Sequence, residues 1–335
     1  MQTLTLGNSP RTRQRVIARL ALAALTVAAL LAAPAPRAEA ATPAPATLAF
    51  LDKAFVNNEI SLYGAPEYGV TIEAMLQRRA GGYSMIKQLP QIKRVFTDRR
   101  VIGYNKTGYL YTKDGALRTG RTGMFLFASK ALGVANGPLQ NVFYAELKAS
   151  IAKDGSIPLA NGNSVEYAWV ALGLHAYKQD TLAQKVLAYA ESRQNADGGF
   201  AGWSSASSVD GTGLILQAQS SLRTYGGAKA VASRKASIAK ASIYLRKISI
   251  EGNHWQSDNG DGTFSSDVNG TAYAAMGLKA VGIKIEPYST WLKGQLAADG
   301  GIKSAWSGTA GDVFATAQGY APMIGKAYVD LLPSK

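Results

Sequence analysis

The sequence predicts an all-α protein, an α/α toroid of about six helical hairpin repeats, on three observations. First, five Asp-Gly dipeptides recur, each followed two residues later by a large apolar side chain. They are Asp114-Gly115-Ala116-Leu117, Asp154-Gly155-Ser156-Ile157, Asp197-Gly198-Gly199-Phe200, Asp261-Gly262-Thr263-Phe264 and Asp299-Gly300-Gly301-Ile302. Their spacings of 40, 43, 64 and 38 residues suit a helical repeat, the long interval holding an extended loop around residues 252–260. Second, each turn leads into a helix that is apolar or small nearly all round, the pattern of a buried helix, whereas more amphipathic helices precede the turns. Third, the buried helices carry Gly173, Gly211, Gly213, Gly270, Ala274, Ala275 and Gly277. Such small residues let helices pack tightly about a centre, which favours a closed ring over an open armadillo-like superhelix.

Taken in order, residues 1–40 read as a cleavable secretory signal. Arg11, Arg13, Arg15 and Arg19 form a basic region, residues 20–33 are apolar, and Ala38-Glu39-Ala40 supplies small residues before a cleavage site at Ala41. The expected location is therefore secreted or extracytoplasmic. Residues 41–110 form a basic N-terminal part with a degenerate first repeat, and residues 111–335 carry the toroid repeats. Inner helices are expected over residues 68–79 and 121–132, and then after Ser164, Ser208, Asp267 and Thr309, residue types that cap helix N-termini. Outer helices are expected over residues 181–193, 228–247 and 287–296. An Asp-Gly pair makes the turn between the two because Gly accepts positive φ and Asp bonds its own turn backbone.

Composition narrows the chemistry. The absence of Cys removes disulfides, thiolate metal sites and thiol nucleophiles together. Taking five Arg and one Glu of the signal from 36 basic and 22 acidic residues leaves a net charge of +10, of which +7 falls within residues 41–130. That excess suits long-range attraction to an anionic cell-envelope surface. An exported chain with no nucleic-acid motif is not expected to bind nucleic acid.

The segment Lys185-Val186-Leu187-Ala188-Tyr189-Ala190-Glu191-Ser192-Arg193-Gln194-Asn195-Ala196-Asp197-Gly198-Gly199-Phe200 resembles the repeat of terpenoid cyclases and prenyltransferase β-subunits, with Gln194, Gly198 and Phe200 in the matching places. Asp299-Gly300-Gly301-Ile302 is a weaker copy, with Gln295 displaced by one position. The resemblance covers roughly residues 110–320 and implies the α/α toroid. The family's catalytic groups are not matched. A prenyltransferase site would hold zinc with Asp, Cys and His, and this chain has no Cys and only His175 and His254. A squalene-type cyclase would carry Asp-x-Asp-Asp, and Asp267-Val268-Asn269-Gly270 puts Asn where the acid belongs. No metal and no cofactor are expected.

What remains for chemistry is a polar collar. Glu166, Asp210, Asn269 and Asp312 occupy nearly equivalent first-turn positions of the inner helices, with Glu73 a looser member. They would serve either to complement helix dipoles or to bind and act on a ligand, Glu166, Asp210 and Asp312 being the candidate acids and bases. His254, in the long loop, is a further catalytic candidate, whereas His175 on its apolar helix reads as a core residue. Tyr167, Trp169, Trp203, Asn269, Tyr273 and Trp306 are the candidate ligand-binding residues, and Phe200, Phe264 and Phe314 lie at related positions. The oxygen-rich run from Asp258 to Thr263 lacks the closing Glu of a calcium loop and reads as turns. Two functions follow as expectations. One is a non-catalytic exported protein that holds a lipid, glycan or small molecule in a toroid cavity or mouth. The alternative is an exported enzyme acting on a polysaccharide or isoprenoid with inner-helix carboxylates as acid and base.

Overall fold

The computed structural model describes residues 46–103 and 106–333. The signal segment and its cleavage site lie outside the described residues. In chain order the first helices are α1 (Ala46–Ala54), α2 (Tyr68–Ala80), α3 (Leu89–Phe96), α4 (Arg99–Ile102), α5 (Thr119–Ala131) and α6 (Pro138–Ala149). They are followed by α7 (Ser164–Ala176), α8 (Asp180–Ser192), α9 (Val209–Ser221), α10 (Gly227–Ile248), α11 (Val268–Ala280), α12 (Glu286–Gly294) and α13 (Val313–Met323). Among the described residues, three two-stranded hairpins stand between outer and inner helices: β1 (Ser61–Leu62) with β2 (Ala65–Pro66), β3 (Phe200–Ala201) with β4 (Ser207–Ser208), and β5 (Trp255–Asp258) with β6 (Phe264–Asp267).

Among the described residues, six inner helices form a closed ring. Contacts run from α2 to α5, α7, α9, α11 and α13 and return from α13 to α2. The inner helices are parallel, because first turns meet first turns and last turns meet last turns. Glu166 at the start of α7 reaches Gly120 at the start of α5, and Ser220 at the end of α9 donates to the carbonyl of Ala280 at the end of α11, at 2.6 Å. Residues 46–102 belong to the ring: α2 supplies an inner helix, and α1 packs on α2 and α13, across the seam between the last inner helix and the first.

Two helix pairs approach through reciprocal glycines. A Cβ on Gly123 of α5 would fall 2.5 Å from the backbone of Trp169, and one on Gly173 of α7 would fall 2.4 Å from the oxygen of Gly123. Gly213 of α9 and Gly277 of α11 repeat the arrangement, at 2.3 Å from the oxygen of Tyr273 and 2.4 Å from that of Gly213. At such distances only hydrogen fits at Cα, so these glycines set how close the inner helices stand.

The turn motif has a mechanical reason. Gly155, Gly198 and Gly300 hold φ of +92°, +93° and +88°. A Cβ there would also lie 2.3, 2.6 and 2.7 Å from the main-chain oxygens of Lys185, Lys240 and Ala46, each on the next outer helix round the ring. Asp154, Asp197 and Asp299 each accept the N–H two residues on, at 2.9, 2.9 and 3.0 Å. The apolar residue that follows is buried, and its own N–H needs a partner there. Phe200, Trp255, Ile302 and Ile60 donate to the hydroxyls of Thr212, Thr271, Thr316 and Thr71, at 3.0, 3.1, 2.8 and 2.9 Å. In α7 the phenol of Tyr167 takes that place and accepts from Ile157 at 2.9 Å.

One turn differs from the sequence expectation. Asp261-Gly262 is the tip of the β5–β6 hairpin, and Phe264 is exposed. The true counterpart of the other turns lies earlier, at Gly252-Asn253-His254-Trp255, where Ile250 pairs with His254 and Trp255 is buried. Measured between the buried apolar residues Leu117, Ile157, Phe200, Trp255 and Ile302, the spacings become 40, 43, 55 and 47. The hairpin is an insertion after the repeat turn, which is why the Asp-Gly interval looked irregular.

Helix caps shift slightly from expectation. Ser208 and Asp267 cap α9 and α11 by accepting the N–H of Gly211 and Gly270. Asn163 rather than Ser164 caps α7, and Asp312 rather than Thr309 caps α13.

Candidate functional site

The centre of the ring is filled by side chains. After α13 the chain turns back in a short 3-10 segment, Tyr328–Leu331, that inserts Tyr328 against the inner helices. The Tyr328 hydroxyl accepts from Gln77 at 3.1 Å and donates to Glu73 Oε1 at 3.3 Å, while its N–H donates to Gln217 Oε1 at 3.0 Å. Glu73 also receives the hydroxyl of Tyr273, and Gln318 Nε2 donates to its Oε2 at 2.7 Å. Trp169 packs on Tyr328 with ring centroids 5.6 Å apart. Pro322 lacks the N–H that would reach the Gln318 carbonyl, and the freed oxygen accepts from Gln77 instead, at 3.2 Å. The seam between α2 and α13 is thus pinned by a side chain using a bond that the proline left open.

At the mouth, where the inner helices begin, the collar residues divide by role. Glu166 Oε2 accepts from Thr119 Oγ1 at 2.9 Å and from the N–H of Gly120 at 2.5 Å. It thereby caps α5, which has no capping side chain of its own. Asp312 accepts the N–H groups of Phe314 and Ala315 and is a plain N-cap. Asn269 donates to Gln318 Oε1 at 2.6 Å and so extends the central network. Asp210 is different. It remains partly open to solvent, and its carboxyl has no hydrogen-bond partner among the described residues; its Oδ1 lies close enough to Gly270 to touch a Cβ there.

Electrostatics single out two acids. Desolvation pushes Glu73 up to about 7, against the opposing bonds from Gln318, Tyr273 and Tyr328. Desolvation also pushes Asp210 up to about 7, aided by the nearby charges of Asp267 and Glu73. A carboxyl held above its unfolded value stabilises the fold while it is protonated. That contribution is complete below about pH 4 and is lost as the pH rises through 7. Glu73→Gln is therefore expected to flatten the fall in thermal stability between pH 4.5 and 7.5 by on the order of 3 kcal/mol. Melting curves of wild type and variant that stay parallel across that range would contradict the assignment.

The structure separates the aromatic candidates into two groups. Tyr167, Trp169 and Tyr273 are buried, the first holding its repeat turn and the other two packing around Tyr328 and Glu73. Phe200 is a core residue as well. Trp203 and Trp306 are 90% and 77% exposed, on the loops that lead into α9 and α13. Phe264, Phe314 and Tyr63 are exposed on the same face, each on a hairpin or first turn at the start of an inner helix. His254 stacks on Trp291 with ring centroids 4.7 Å apart, bonds Asn253 and has its pKa lowered by burial. It braces the turn at Gly252-Asn253-His254-Trp255. His175 Nδ1 lies 2.7 Å from Asp180 Oδ1 and ties the end of α7 to the start of α8. Among the described residues no cluster of three or more His, Cys, Asp or Glu is placed to hold a metal ion, and no helix is long and apolar enough to cross a membrane.

Sequence reasoning missed Tyr328, Gln77, Gln318 and the threonine column. The threonines were legible in principle, since Thr212, Thr271 and Thr316 each lie 12 to 16 residues after the residue whose N–H they accept.

A structure of a variant of the type II terpene cyclase MstE from Scytonema, without ligand, superposes on this ring. Its TM-score is 0.56 at 15% identity, over 86% of this chain and 96% of that one. The fold is terpenoid cyclase-like. No protein-family model and no curated protein sequence matches the chain significantly. The Gln194 amide donates to the Gly198 carbonyl at 2.8 Å and to that of Ser237 on α10 at 3.0 Å, joining the turn to the next outer helix. Gln295 does not repeat this and donates within its own segment, to Trp291.

Proposed function

We propose that this chain is an exported, non-catalytic binding protein that takes a saccharide on the mouth face of its toroid. The observation that carries this reading is the division of the aromatics. Tyr328, Trp169 and Tyr273 fill the ring centre, while Trp203, Trp306, Phe264, Phe314 and Tyr63 stand open to solvent around one face. Exposed aromatic rings are costly in water unless a partner covers them, and the flat apolar face of a sugar is such a partner. The basic excess of the chain would keep it near an anionic cell-envelope surface. Export rests on the leader at residues 1–40.

The test is a glycan array probed with the labelled mature chain, followed by mass spectrometry of each retained glycan after incubation. Retention is expected for the wild type, lost in the Trp203→Ala/Trp306→Ala double variant, with every glycan recovered unchanged. Retention indifferent to both tryptophans would overturn the reading.

One observation favours a second reading, an exported enzyme on a polysaccharide or isoprenoid. Asp210 is a half-buried acid without a hydrogen-bond partner among the described residues, raised to about 7 chiefly by desolvation, the condition of a general acid at neutral pH. The similar structure is that of a type II terpene cyclase, whose likeness here extends to the fold. Converted products that disappear with Asp210→Asn would decide for this reading.

A further inference from the structure

A groove of about 280 Å³ lies on the mouth face, off the ring axis, between the loop that enters α7 and the β3–β4 hairpin that enters α9. Its lining is polar and aromatic: Asn161, Tyr167, Asn195, Ser204 and the exposed indole of Trp203, with Arg193 from the end of α8. Arg193 is the one charged side chain in that lining. Its guanidinium is exposed, makes no ion pair or hydrogen bond among the described residues, and rests 5.9 Å from the ring of Tyr189. The groove walls are held from below. Ser164 donates to the Ala201 carbonyl at 2.6 Å, and Asn195 donates to Ser205 and Ser207 at 3.1 and 3.0 Å. These bonds fix the hairpin on which Trp203 stands.

Resting on the saccharide reading above, we infer that this groove is the specificity site and that it takes a carboxylate-bearing sugar, a uronic acid unit of an acidic polysaccharide. The indole offers a platform for the sugar ring, and the planar guanidinium has the paired donors that a carboxylate accepts. Asn161 and the serine hydroxyls supply neutral bonds to ring hydroxyls. The groove is smaller than the usual ligand cleft, which suits one unit of a chain that continues over the open face. Arg193, alone in charge, sets the sign of what is chosen.

Isothermal titration of the mature chain with trigalacturonic acid and with its methyl ester tests this directly. The ester keeps the sugar rings and removes the charge. Wild type is expected to bind the acid about tenfold more tightly than the ester. Arg193→Gln is expected to bring the acid down to the level of the ester and leave the ester unchanged, and Trp203→Ala to remove both. Acid and ester bound equally, with Trp203→Ala abolishing both, would overturn the acidic assignment while leaving a saccharide on the mouth. Binding untouched by Arg193→Gln, or no binding of the acid at millimolar concentration, overturns it as well. Sugar binding insensitive to Trp203→Ala and Trp306→Ala alike would remove the mouth reading too.

Discussion

Gly213→Ala is expected to destabilise the chain by about 3 kcal/mol or more, although alanine is the better helix former by about 1 kcal/mol. The added Cβ would lie 2.3 Å from the oxygen of Tyr273, and the atom it meets is backbone, which has no rotamer to escape into. Helices α9 and α11 would have to part, and Tyr273, whose hydroxyl serves Glu73, would move with α11. Gly294, the exposed last residue of α12, is the control, since a Cβ there meets nothing within 4 Å. Gly294→Ala should leave stability unchanged or slightly raised. Urea unfolding of the two variants decides the matter, and a Gly213→Ala chain as stable as wild type would mean that the ring tolerates wider spacing than its glycines indicate.

Tyr328→Ala carries the other large effect. The side chain is fully buried and packs on Trp169 and Tyr273, so truncation leaves a cavity on the ring axis and is expected to cost about 3–5 kcal/mol. Glu73 would lose one of its three partners, with Tyr273 and Gln318 remaining. Tyr328→Phe keeps the volume and removes only the hydroxyl, which accepts from Gln77 and donates to Glu73, so its cost is expected to be nearer 1 kcal/mol. Denaturant midpoints that rank the two variants in the reverse order would show that the tail does not plug the ring.

The architecture was legible because the repeat writes its turn in residues with local meaning. Gly at positive φ, Asp bonding its own turn and an apolar anchor can be read without knowing what they pack against, as at Gly155, Gly198 and Gly300. The reading failed where the same local signal served another purpose. Asp261-Gly262 makes as good a turn as the others, yet it closes an inserted hairpin, and the fourth of the five repeat turns uses Gly252 with no Asp before it. Of the polar collar, Glu166, Asp210 and Asn269 stand in first turns as the sequence indicates, whereas Asp312 is the N-cap just before its helix, and the sequence did not distinguish their duties. Glu166 and Asp312 are spent on backbone N–H groups and Asn269 on Gln318, which leaves Asp210 as the member without a partner. Glu73, one and a half turns into its helix, proved to be the central acid, because at that depth it meets Tyr273, Gln318 and Tyr328 on the ring axis. Tyr328 was not legible at all. Its short segment has no helical periodicity, and its partners Glu73, Gln77 and Gln217 lie more than 100 residues away.

The ring centre is occupied by its own side chains, and the proposed binding therefore falls to the mouth face. Mass spectrometry of an organic extract from the natively purified protein tests that most directly. The predicted result is an extract with no lipid or isoprenoid at stoichiometric amount. A stoichiometric lipid would contradict it, since it would require Tyr328 and the Glu73 network to give way to a ligand on the ring axis.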